Sequence, residues 1–550
     1  MGKTRDTKYI FVVGGVMSGV GKGVTTSSIG TIIQSKGYRV SPMKADPYLN
    51  VDAGTMNPTE HGEVFVLDSG LETDQDMGNY ERFLNKSLPK QNYMTNGMIF
   101  KYVIDKERAL GYKGKCVEPT YHITEEILRR IEDAADVDNA DFIIIEIGGT
   151  IGEYQNAIFL EAARQLRLKK PHNVMFVMVS YLPTPSSIGE MKTKPTQNAV
   201  SQMNSYGVHP NIIIARADQP VDKKRKEKIA NMSGLSSADD VISAPNVKNI
   251  YEVPVNFEND GLSSRILNYF GLKPKKKDLK EWRGFLNKSA NTKSVVKVAM
   301  VGKYFDTGDF VLSDAYISVI EALKISGVHE GVKVELSWLD SKKFEKGGKR
   351  ELDKLAGYDG IVVPGGFGET GVEGKIKVIE YARVNKIPYF GLCYGMQLMV
   401  IEYARNILGL AQAITTEINP KTTTPIIDIM PDQKKKLEIR NFGGSMRLGT
   451  YPCVLSKKTI AYEAYRKSKI DERHRHRYEV NPEYVSLLEG GGLIFSGKSP
   501  NGVLMEIAEL PRDKHPFMLG TQFHPEFLAR PLSPHPLFSE FIRAIKKKKK

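Results

Sequence analysis

The chain has 550 residues, a formal net charge of +14 at pH 7, and 41% hydrophobic and 26% charged residues. This length allows roughly two to four domains, and the composition is typical of a globular protein. Three cysteines exclude a disulfide framework, and no apolar run reaches the roughly 18 residues of a membrane span. Because no signal-peptide core precedes the first apolar strand, we expect a cytoplasmic protein without a membrane partner.

The positive charge does not indicate a nucleic-acid partner. Part of it lies in lysine runs at 275–277 and 546–550, which we expect to be solvated. The sequence has no zinc-finger spacing, no RNA-recognition signature and no basic stretch interleaved with aromatic residues. Binding of nucleoside triphosphates would account for some of the other Lys and Arg residues, so we expect small-molecule substrates.

Residues 1 to about 270 alternate apolar strands with helical patterns, which predicts an α/β domain with a doubly wound, mainly parallel sheet. The predicted strands are Tyr9–Val13, Arg39–Met43, Asp141–Ile147, Asn173–Ser180, Asn211–Ala215 and Val241–Ser243. The predicted helices are Val24–Ser35, Asn156–Leu166 and Val221–Asn231. Ligands of such sheets bind beyond the carboxyl ends of the strands.

A glycine-rich turn, Gly-Gly-Val-Met-Ser-Gly-Val-Gly-Lys-Gly at 14–23, lies between the first strand and the first helix. The N–H groups of such a turn bind phosphate, and Lys22 adds a positive charge. The spacing from Gly15 to Gly21 is one residue longer than in the common P-loop, and Gly23 replaces the Ser or Thr that binds Mg²⁺. The metal therefore needs carboxylates from elsewhere in the chain.

Two carboxylates are the candidates for that role. Glu146 follows four apolar residues near the end of its strand, like a Walker-B acid, and its charge needs a partner there. A long polar insertion after the second strand contains Glu-Thr-Asp-Gln-Asp at 72–76, in which Asp74 and Asp76 offer oxygen ligands. We predict that Asp76 and Glu146 bind Mg²⁺ together.

Another polar segment, Lys-Thr-Lys-Pro-Thr-Gln at 192–197, follows the predicted strand Asn173–Ser180. Its Lys, Thr and Gln side chains offer charged and neutral donors to a polyphosphate and a base. A basic surface turn is the alternative interpretation of this segment.

The second half of the chain is predicted to be a separate domain. Residues 271–294 form a polar stretch that predicts a linker. Apolar periodicity restarts at Val295–Val301, so a second α/β domain is predicted at 295–550. Its predicted strands Gly360–Val363 and Ile387–Phe390 each lead into a glycine-containing turn.

The second of these turns carries a candidate nucleophile, Cys393. Gly-x-Cys-x-Gly before the predicted helix Met396–Leu408 is a nucleophile elbow with Cys in place of Ser. The helix N-terminus stabilises a thiolate and donates N–H groups to an oxyanion. His524 and Glu526 are the base and orienting acid that this thiol requires. A single cysteine in such a turn is often an ordinary residue of the hydrophobic core. The Pro-Gly-Gly and His-Pro-Glu motifs elsewhere in the domain favour a catalytic triad.

The motifs Pro-Gly-Gly, Gly-x-Cys-x-Gly-x-Gln and His-Pro-Glu resemble those of class I glutamine amidotransferases. Ser-Gly-Val-Gly-Lys-Gly, Lys-Ala-Asp-Pro-Tyr, Glu-Thr-Asp-x-Asp and Lys-Thr-Lys-Pro-Thr-Gln resemble the synthetase domain of the CTP synthase family, and Arg-His-Arg-Tyr-Glu-Val-Asn at 475–481 is also specific to it. The resemblance covers nearly the whole chain in the family's domain order. It implies a P-loop-like, dethiobiotin-synthetase-like first domain.

The resemblance also implies the activity. ATP would phosphorylate O4 of UTP, and ammonia would displace the phosphate to give CTP. The ammonia would come from L-glutamine hydrolysed in the second domain and pass through an internal tunnel. Activation by GTP, feedback inhibition by CTP and a homotetramer are implied as well.

The resemblance assigns three sets of binding residues. The implied ATP site comprises Gly19, Val20, Gly21, Lys22, Gly23, Val24, Asp76 and Val247, the last beside adenine. The implied UTP and CTP site comprises Ser18, Lys44, Glu153, Tyr154, Gln155, Lys192, Thr193, Lys194, Pro195, Thr196, Gln197 and Lys228. The implied glutamine site comprises Gly366, Tyr394, Gly395, Met396, Gln397, Glu417 and Arg477. Glu417 and Arg477 would contact the ammonium and carboxylate of glutamine.

Two departures from the family pattern concern regulation. Glu-Tyr-Gln at 153–155 stands where typical members have Asp-Ile-Glu, and Glu369-Thr370 stands where members often have an aromatic-basic pair. Two other classes of protein share parts of this pattern. The segment 192–197 argues against an amidotransferase of the cobyric acid synthase type. Val13, where partitioning-type ATPases have Lys, and the cysteine triad argue against such an ATPase.

Overall fold

The computed structural model describes residues 6–187, 189–276, 278–303, 313–430, 433 and 443–549. The chain forms two compact units, the first of Met1–Asp52 and Asp76–Leu286 and the second of Ala53–Gln75 and Asn287–Lys550. The predicted continuous domain 1–270 is therefore interrupted. The inserted segment folds with the second unit because its apolar and charged side chains pack on strands and turns of that unit.

The elements are numbered in chain order. The strands are β1 Lys8–Gly14, β2 Val40–Asp46, β3 Phe65–Val66, β4 Glu72–Thr73, β5 Tyr93–Thr95, β6 Phe142–Ile147, β7 Val174–Tyr181, β8 Ile212–Ala217, β9 Val241–Pro245, β10 Val295–Gly302, β11 Lys333–Asp340, β12 Gly360–Val363, β13 Tyr389–Leu392, β14 Ile414–Thr415, β15 Pro425–Ile429, β16 Arg447–Leu455, β17 Lys469–His476, β18 Tyr478–Val480, β19 Ile494–Lys498, β20 Met505–Glu509 and β21 Met518–Thr521.

The α-helices of the described residues are α1 Lys22–Ser35, α2 Pro58–His61, α3 Asp76–Leu84, α4 Asn96–Arg108, α5 Thr124–Val137, α6 Ala157–Lys169, α7 Lys194–Ser205, α8 Lys223–Ser233, α9 Val253–Asn259, α10 Leu262–Tyr269, α11 Lys280–Asn291, α12 Ile317–His329, α13 Ser341–Lys346, α14 Gly348–Asp353, α15 Val372–Val384, α16 Tyr394–Asn406, α17 Ile460–Tyr465, α18 Pro482–Gly490 and α19 Pro536–Lys549. None of these helices is long and apolar enough to cross a membrane.

The first unit contains a seven-stranded sheet in the order β5-β2-β6-β1-β7-β8-β9, and each neighbouring pair is parallel. Alternate residues of β1 face opposite sides of it. Tyr9, Phe11 and Val13 lie in one buried cluster, and Ile10 and Val12 lie in the other. The sheet is therefore covered on both faces, which confirms the predicted doubly wound α/β fold.

The predicted elements of this unit end within three residues of the observed ones. The difference that matters for function is at β2, which continues to Asp46, so Lys44 and Asp46 are strand residues and not part of a following turn. No elements were predicted for residues 47–140. In the part of this stretch that belongs to the first unit, the structure has β5, which is too short for a period-two pattern, and the helices α3, α4 and α5.

The predicted linker, 271–294, contains a helix, α11. Trp282 and Phe285 lie three positions apart on it and are both buried. Trp282 Nε1 donates a 2.8 Å hydrogen bond to the carbonyl oxygen of Tyr251. The charged residues around this aromatic pair predicted a linker, but the pair supplies the apolar face that holds the helix.

The second unit contains a nine-stranded sheet in the order β11-β10-β12-β13-β21-β20-β19-β16-β17. Pairing is parallel from β11 to β21 and antiparallel from β21 to β17. A three-stranded sheet, β14-β15-β18, and a hairpin, β3-β4, accompany it. The predicted strand Gly360–Val363 coincides with β12, and the second α/β fold is confirmed.

Candidate active sites

The glycine-rich turn between β1 and α1 has the conformation of a phosphate-binding loop. Gly19 and Gly21 have φ angles of 70° and 87°, which favour glycine, and α1 begins at Lys22. The Lys22 ammonium donates a 2.6 Å hydrogen bond to the carbonyl oxygen of Gly149. Burial lowers the pKa of Lys22, and the Glu146 carboxylate opposes that shift. A lysine thus lies beside the N–H groups of a helix start, which is a site for an anion.

The two predicted metal ligands meet at one lysine. Lys44 donates hydrogen bonds to Asp76 Oδ2 and, at 3.1 Å, to Glu146 Oε1. Tyr80 donates to the other Glu146 oxygen at 2.5 Å. Burial acts to raise the pKa of Asp76, but the Lys44 ammonium outweighs it and holds this pKa below its usual range. At Glu146 burial dominates over Lys44 and raises the pKa.

Gly23 is required by the position of Asp76. A Cβ atom added at residue 23 would overlap Asp76 Oδ1, so a larger residue fits only if this carboxylate moves. The Asp76 carboxylate therefore occupies the space in which a P-loop Ser or Thr side chain would lie. This geometry agrees with the expectation that carboxylates replace the missing loop hydroxyl.

The donors at this site fit Mg²⁺ bound together with a nucleotide. Mg²⁺ in such sites takes one or two carboxylates, with phosphate oxygens and waters as its other ligands. Asp76 and Glu146 supply two carboxylates around the Lys44 ammonium. In the part of the chain that the structure describes, no group of three or more His, Cys, Asp or Glu side chains could hold a metal. Mg²⁺ binding by the pair stays a prediction.

A cavity adjoins the phosphate loop. The loop and α1 contribute Gly21, Val24 and Thr25 to its lining, and the predicted adenine residue, Val247, lies in the same lining. Phe257 adds a further apolar surface. An apolar cavity beside a phosphate loop suits the base of a nucleotide.

Arg216 also lines this cavity and was not predicted. It donates hydrogen bonds of 3.1 Å and 3.2 Å to the carbonyl oxygens of Ala244 and Pro245, and one of 2.9 Å to Asn246 Oδ1. A signal was present in the sequence, because a charged residue near the carboxyl end of an apolar strand lies at the edge where ligands bind.

Two of the predicted UTP-binding lysines gather around one carboxylate. Lys192 donates a 2.8 Å hydrogen bond to Glu190 and lowers the pKa of that carboxyl. The charges of Arg225 and Lys228 lower it further. Arg225 was not singled out from the sequence. Because Lys192, Arg225 and Lys228 all lie near this carboxylate, this part of the surface suits a polyphosphate.

The rest of the 192–197 segment starts α7. Gln197 donates a 3.2 Å hydrogen bond to Thr193 Oγ1, and Thr196 Oγ1 lies 2.8 Å from Ser180 Oγ. Pro195 lies in the first turn of the helix. Two other predicted UTP residues, Ser18 and Lys194, are exposed. Among the described residues, no hydrogen bond links Ser18 to this segment.

The turn at 153–155 carries the departure from the family pattern. Glu153 Oε1 accepts a 2.9 Å hydrogen bond from the Thr150 N–H, and Glu153 Oε2 accepts one of 3.0 Å from Gln155 Nε2. Tyr154 is 95% exposed. Gln155 is the donor in this hydrogen bond, and a carboxylate at position 155 has no N–H group that could replace it.

Cys393 has the strained backbone of a nucleophile elbow. Its φ of 49° and ψ of −99° place it between β13 and α16, and its N–H donates a 2.6 Å hydrogen bond to the carbonyl oxygen of Thr521. Its thiol lies 3.8 Å from the carbonyl oxygen of Arg475. Gln522 Nε2 approaches the sulfur at 3.6 Å.

His524 and Glu526 form the predicted base and acid pair, with His524 Nδ1 2.7 Å from Glu526 Oε1. Burial acts to lower the pKa of His524, but Glu526 and Cys393 outweigh it and raise this pKa to about 10. A Cβ added at Gly365 would lie 2.9 Å from His524 Cε1 and 3.7 Å from Cys393 Cβ, so both side chains border the same point. The structure thus brings the predicted triad together. Phe527, which was not predicted, stacks on the His524 ring at 5.1 Å and 15°.

A cavity adjoins this triad. Cys393, His524 and the predicted Gly366 line it, together with Phe367 and Arg475. Other lining residues come from the inserted segment 53–75 and are Pro58, Glu63 and Val64.

The other predicted glutamine residues have different hydrogen-bond partners. Glu417 accepts a 2.7 Å hydrogen bond from the Gly368 N–H, and Tyr394 Oη donates one of 3.1 Å to the Gly368 carbonyl oxygen. Arg477 instead donates a 3.1 Å hydrogen bond to Gln433. Tyr394 begins α16, and the other predicted residues of its first turn, Gly395, Met396 and Gln397, are buried as Tyr394 is.

Lys375 is a buried cation that was not predicted. It lies on α15 with its ammonium 5.3 Å from the centre of the Tyr394 ring. Burial and the charge of Lys303 lower its pKa to about 7, although Glu417 and Glu345 oppose the shift. The sequence of α15 contains a second lysine, Lys377, and three other charged residues, so it gave no clear signal that Lys375 is the buried one.

We expect Lys375→Met to stabilise the fold below pH 7. The lysine pKa is about 7 in the folded chain and 10.5 unperturbed. Between these values the unfolded chain binds more protons, so wild-type stability rises with pH by up to ~1.4 kcal/mol per unit. The variant lacks this slope and should lose its advantage towards pH 10. Urea unfolding at several pH values measures this. Lys349→Met, at an exposed site, is the control, and parallel pH profiles for Lys375→Met and wild type would contradict the expectation.

Two family models match the chain, one in each half of the sequence. The family model described as CTP synthase N-terminus matches residues 8–272, and that described as glutamine amidotransferase class-I matches residues 311–544. A CTP synthase of Caldanaerobacter subterraneus subsp. tengcongensis is 48% identical over 539 residues, which are 98% of each chain. A CTP synthase of Pyrococcus abyssi is 46% identical over 545 residues, 99% of this chain and 98% of that one.

A solved structure described as the Trypanosoma brucei CTPS glutaminase domain with bound acivicin is 35% identical, with a TM-score of 0.42. It covers 46% of this chain and 94% of that chain. Because relatives close to half identical align over nearly the whole length, the chain belongs to the CTP synthase family.

Proposed function

We propose that this chain is an ATP-dependent ligase that forms a C–N bond by aminating UTP to CTP with ammonia from glutamine. One observation carries the proposal. The full-length similarity to CTP synthases coincides with a phosphate loop, an adjoining cavity and a Cys-His-Glu triad in a single chain. The alternative of the cobyric acid synthase type is not favoured, because the relatives aligned over 98% of the chain are CTP synthases.

The triad supports hydrolysis of glutamine through a thioester. His524 accepts the thiol proton of Cys393, and the sulfur attacks the amide carbon. The imidazolium then donates a proton to the leaving ammonia as the C–N bond breaks, and water releases glutamate. Glu526 orients the imidazole through the 2.7 Å contact at Nδ1. The N–H of Tyr394, the residue after the nucleophile, stabilises the oxyanion.

The phosphate loop supports the transfer of the ATP γ-phosphoryl group to O4 of UTP. Lys22 and the loop N–H groups hold the phosphates and stabilise charge on the transferred group. A bound Mg²⁺ would neutralise phosphate charge, and Asp76 with Glu146 would hold it. Ammonia then attacks C4 of the 4-phosphorylated UTP, and inorganic phosphate leaves.

Several further properties belong to the proposal on the strength of the resemblance. They are binding of Mg²⁺, activation by GTP, feedback inhibition by CTP, a homotetramer and a cytoplasmic location. The turn at 153–155 and the pair Glu369-Thr370 depart from the family pattern at residues connected with regulation.

The direct test is formation of CTP by the purified chain from UTP, ATP and Mg²⁺ with either glutamine or ammonia. We expect product with both nitrogen sources. Hydrolysis of ATP that does not depend on UTP, with no CTP formed, would contradict the proposal and favour another amidotransferase.

We expect Asp76→Asn and Glu146→Gln each to raise the Mg²⁺ concentration required for ammonia-dependent CTP formation by about tenfold or more. Gly23 offers the metal no hydroxyl, so these carboxylates must supply most of the protein's share. The matched control is Asp105→Asn, at an exposed position of α4. Unchanged Mg²⁺ titrations in both Asp76→Asn and Glu146→Gln would refute the assignment.

A further inference from the structure

The hairpin β3-β4 lies in the inserted segment 53–75 and belongs to the second unit. Phe65 pairs with Thr73 and Val66 with Glu72. The sequence places this hairpin within the predicted first domain, 1–270, and none of its residues was assigned to the glutaminase. Its contacts converge on the residues around the triad.

Arg473, on β17, joins the hairpin to the catalytic histidine. Its carbonyl oxygen accepts a 2.8 Å hydrogen bond from the His524 N–H. Its fully buried guanidinium donates to Asp68 Oδ1 at 2.6 Å and to the Val66 carbonyl oxygen at 3.1 Å. The side chain of one residue is thus held by the hairpin while its backbone holds His524.

Arg475, two positions further along the chain, connects the hairpin to the nucleophile in the same way, through its side chain and its backbone. Its carbonyl oxygen lies 3.8 Å from the Cys393 sulfur. Its guanidinium pairs at 2.8 Å with Glu72, which is 1% exposed. Buried, charge-assisted pairs of this kind fix geometry, and loss of one partner leaves a charge uncompensated.

A third connection runs through aromatic rings. Phe65 meets Phe527 edge-on, with ring centres 4.9 Å apart and planes at 63°. Phe527 in turn stacks on His524. Together with the two arginines, this makes three separate contacts between the hairpin and residues that touch the triad.

We propose that the hairpin β3-β4 is a positioning element of the glutaminase site, in which Glu72, through Arg475, fixes the nucleophile. This rests on the proposed function, because it assigns the hairpin to glutamine hydrolysis. The hairpin residues Glu72 and Phe65 are positioning residues, since they act through Arg475 and Phe527. A displacement of about 1 Å at a reacting group can lower a rate by about a hundredfold.

The test uses the full chain with Glu72→Gln, which keeps the size of the side chain and removes its charge. We expect kcat for glutamine hydrolysis to fall by about tenfold or more, with the KM for glutamine within about twofold of wild type. Ammonia-dependent CTP formation should stay within about twofold. Glu60→Gln, at an exposed position of the same segment, is the matched control and should match wild type.

A second variant keeps the test decisive if Glu72→Gln does not fold. Phe65→Leu removes the ring that meets Phe527 and retains an apolar side chain, and we expect the same loss of kcat with KM retained. Unchanged kcat in a folded variant overturns the proposal, as does an equal loss of the ammonia-dependent reaction. Wild-type CTP formation from both nitrogen sources is measured first, so failure of the proposed function is seen separately.

Discussion

Cys393→Ala is expected to abolish CTP formation from glutamine and to leave CTP formation from ammonia intact. The sulfur is the nucleophile in the proposed reaction, and the alanine side chain offers no atom that could form the thioester. The groups proposed for phosphoryl transfer, Lys22, Asp76 and Glu146, do not depend on that sulfur. Initial rates with each nitrogen source measure the effect.

The matched control for this variant is Cys116→Ala, at an exposed cysteine, which should behave like wild type with both nitrogen sources. If Cys393→Ala folds normally but forms no CTP from ammonia either, the proposal that the two sites catalyse separate reactions is wrong. Retained use of glutamine would show that another group performs the hydrolysis.

Lys22→Ala is expected to abolish CTP formation from both nitrogen sources, because phosphorylation of UTP precedes amination. Lys22 is the cation at the start of α1, and it stabilises charge on the transferred group. Basal hydrolysis of glutamine should survive in part, since the triad is unchanged. Rates of CTP, glutamate and ADP formation distinguish these steps.

For this variant the control is Lys223→Ala, whose side chain is 90% exposed in wild type. CTP formation by Lys22→Ala at the wild-type rate would show that the loop is not part of the catalytic site. Loss of activity in both lysine variants would indicate a general effect of charge and not a role of the loop.

Local motifs made the two centres predictable from the sequence. The nucleophile elbow is a short strand-turn-helix pattern, and Cys393 is found in that conformation. His524 and Glu526 are two positions apart, so their pairing needs little of the tertiary structure. The need for carboxylates in place of a loop hydroxyl followed from Gly23, Asp76 was one of the candidates in the polar insertion, and the position of its carboxylate agrees with that role.

Contacts between residues far apart in sequence could not be predicted in this way. Arg473 pairs with Asp68 across 405 positions, and no periodicity relates the two. Lys375 lies in a helix whose pattern does not reveal how deeply its ammonium is buried. The same limit explains α11, where two buried aromatic residues hold a helix in a stretch that its charges identified as a linker.

The discontinuity of the second unit has a consequence for dividing this chain by protein engineering. A fragment beginning at residue 287 would contain Cys393 and His524 but would lack the hairpin β3-β4. The guanidinium of Arg473, fully buried in the intact chain, would then lose Asp68 and face solvent. One cut therefore cannot separate the two units intact. Recombination that exchanged the glutaminase with a relative's would need three junctions, one on each side of 53–75 and one near 287.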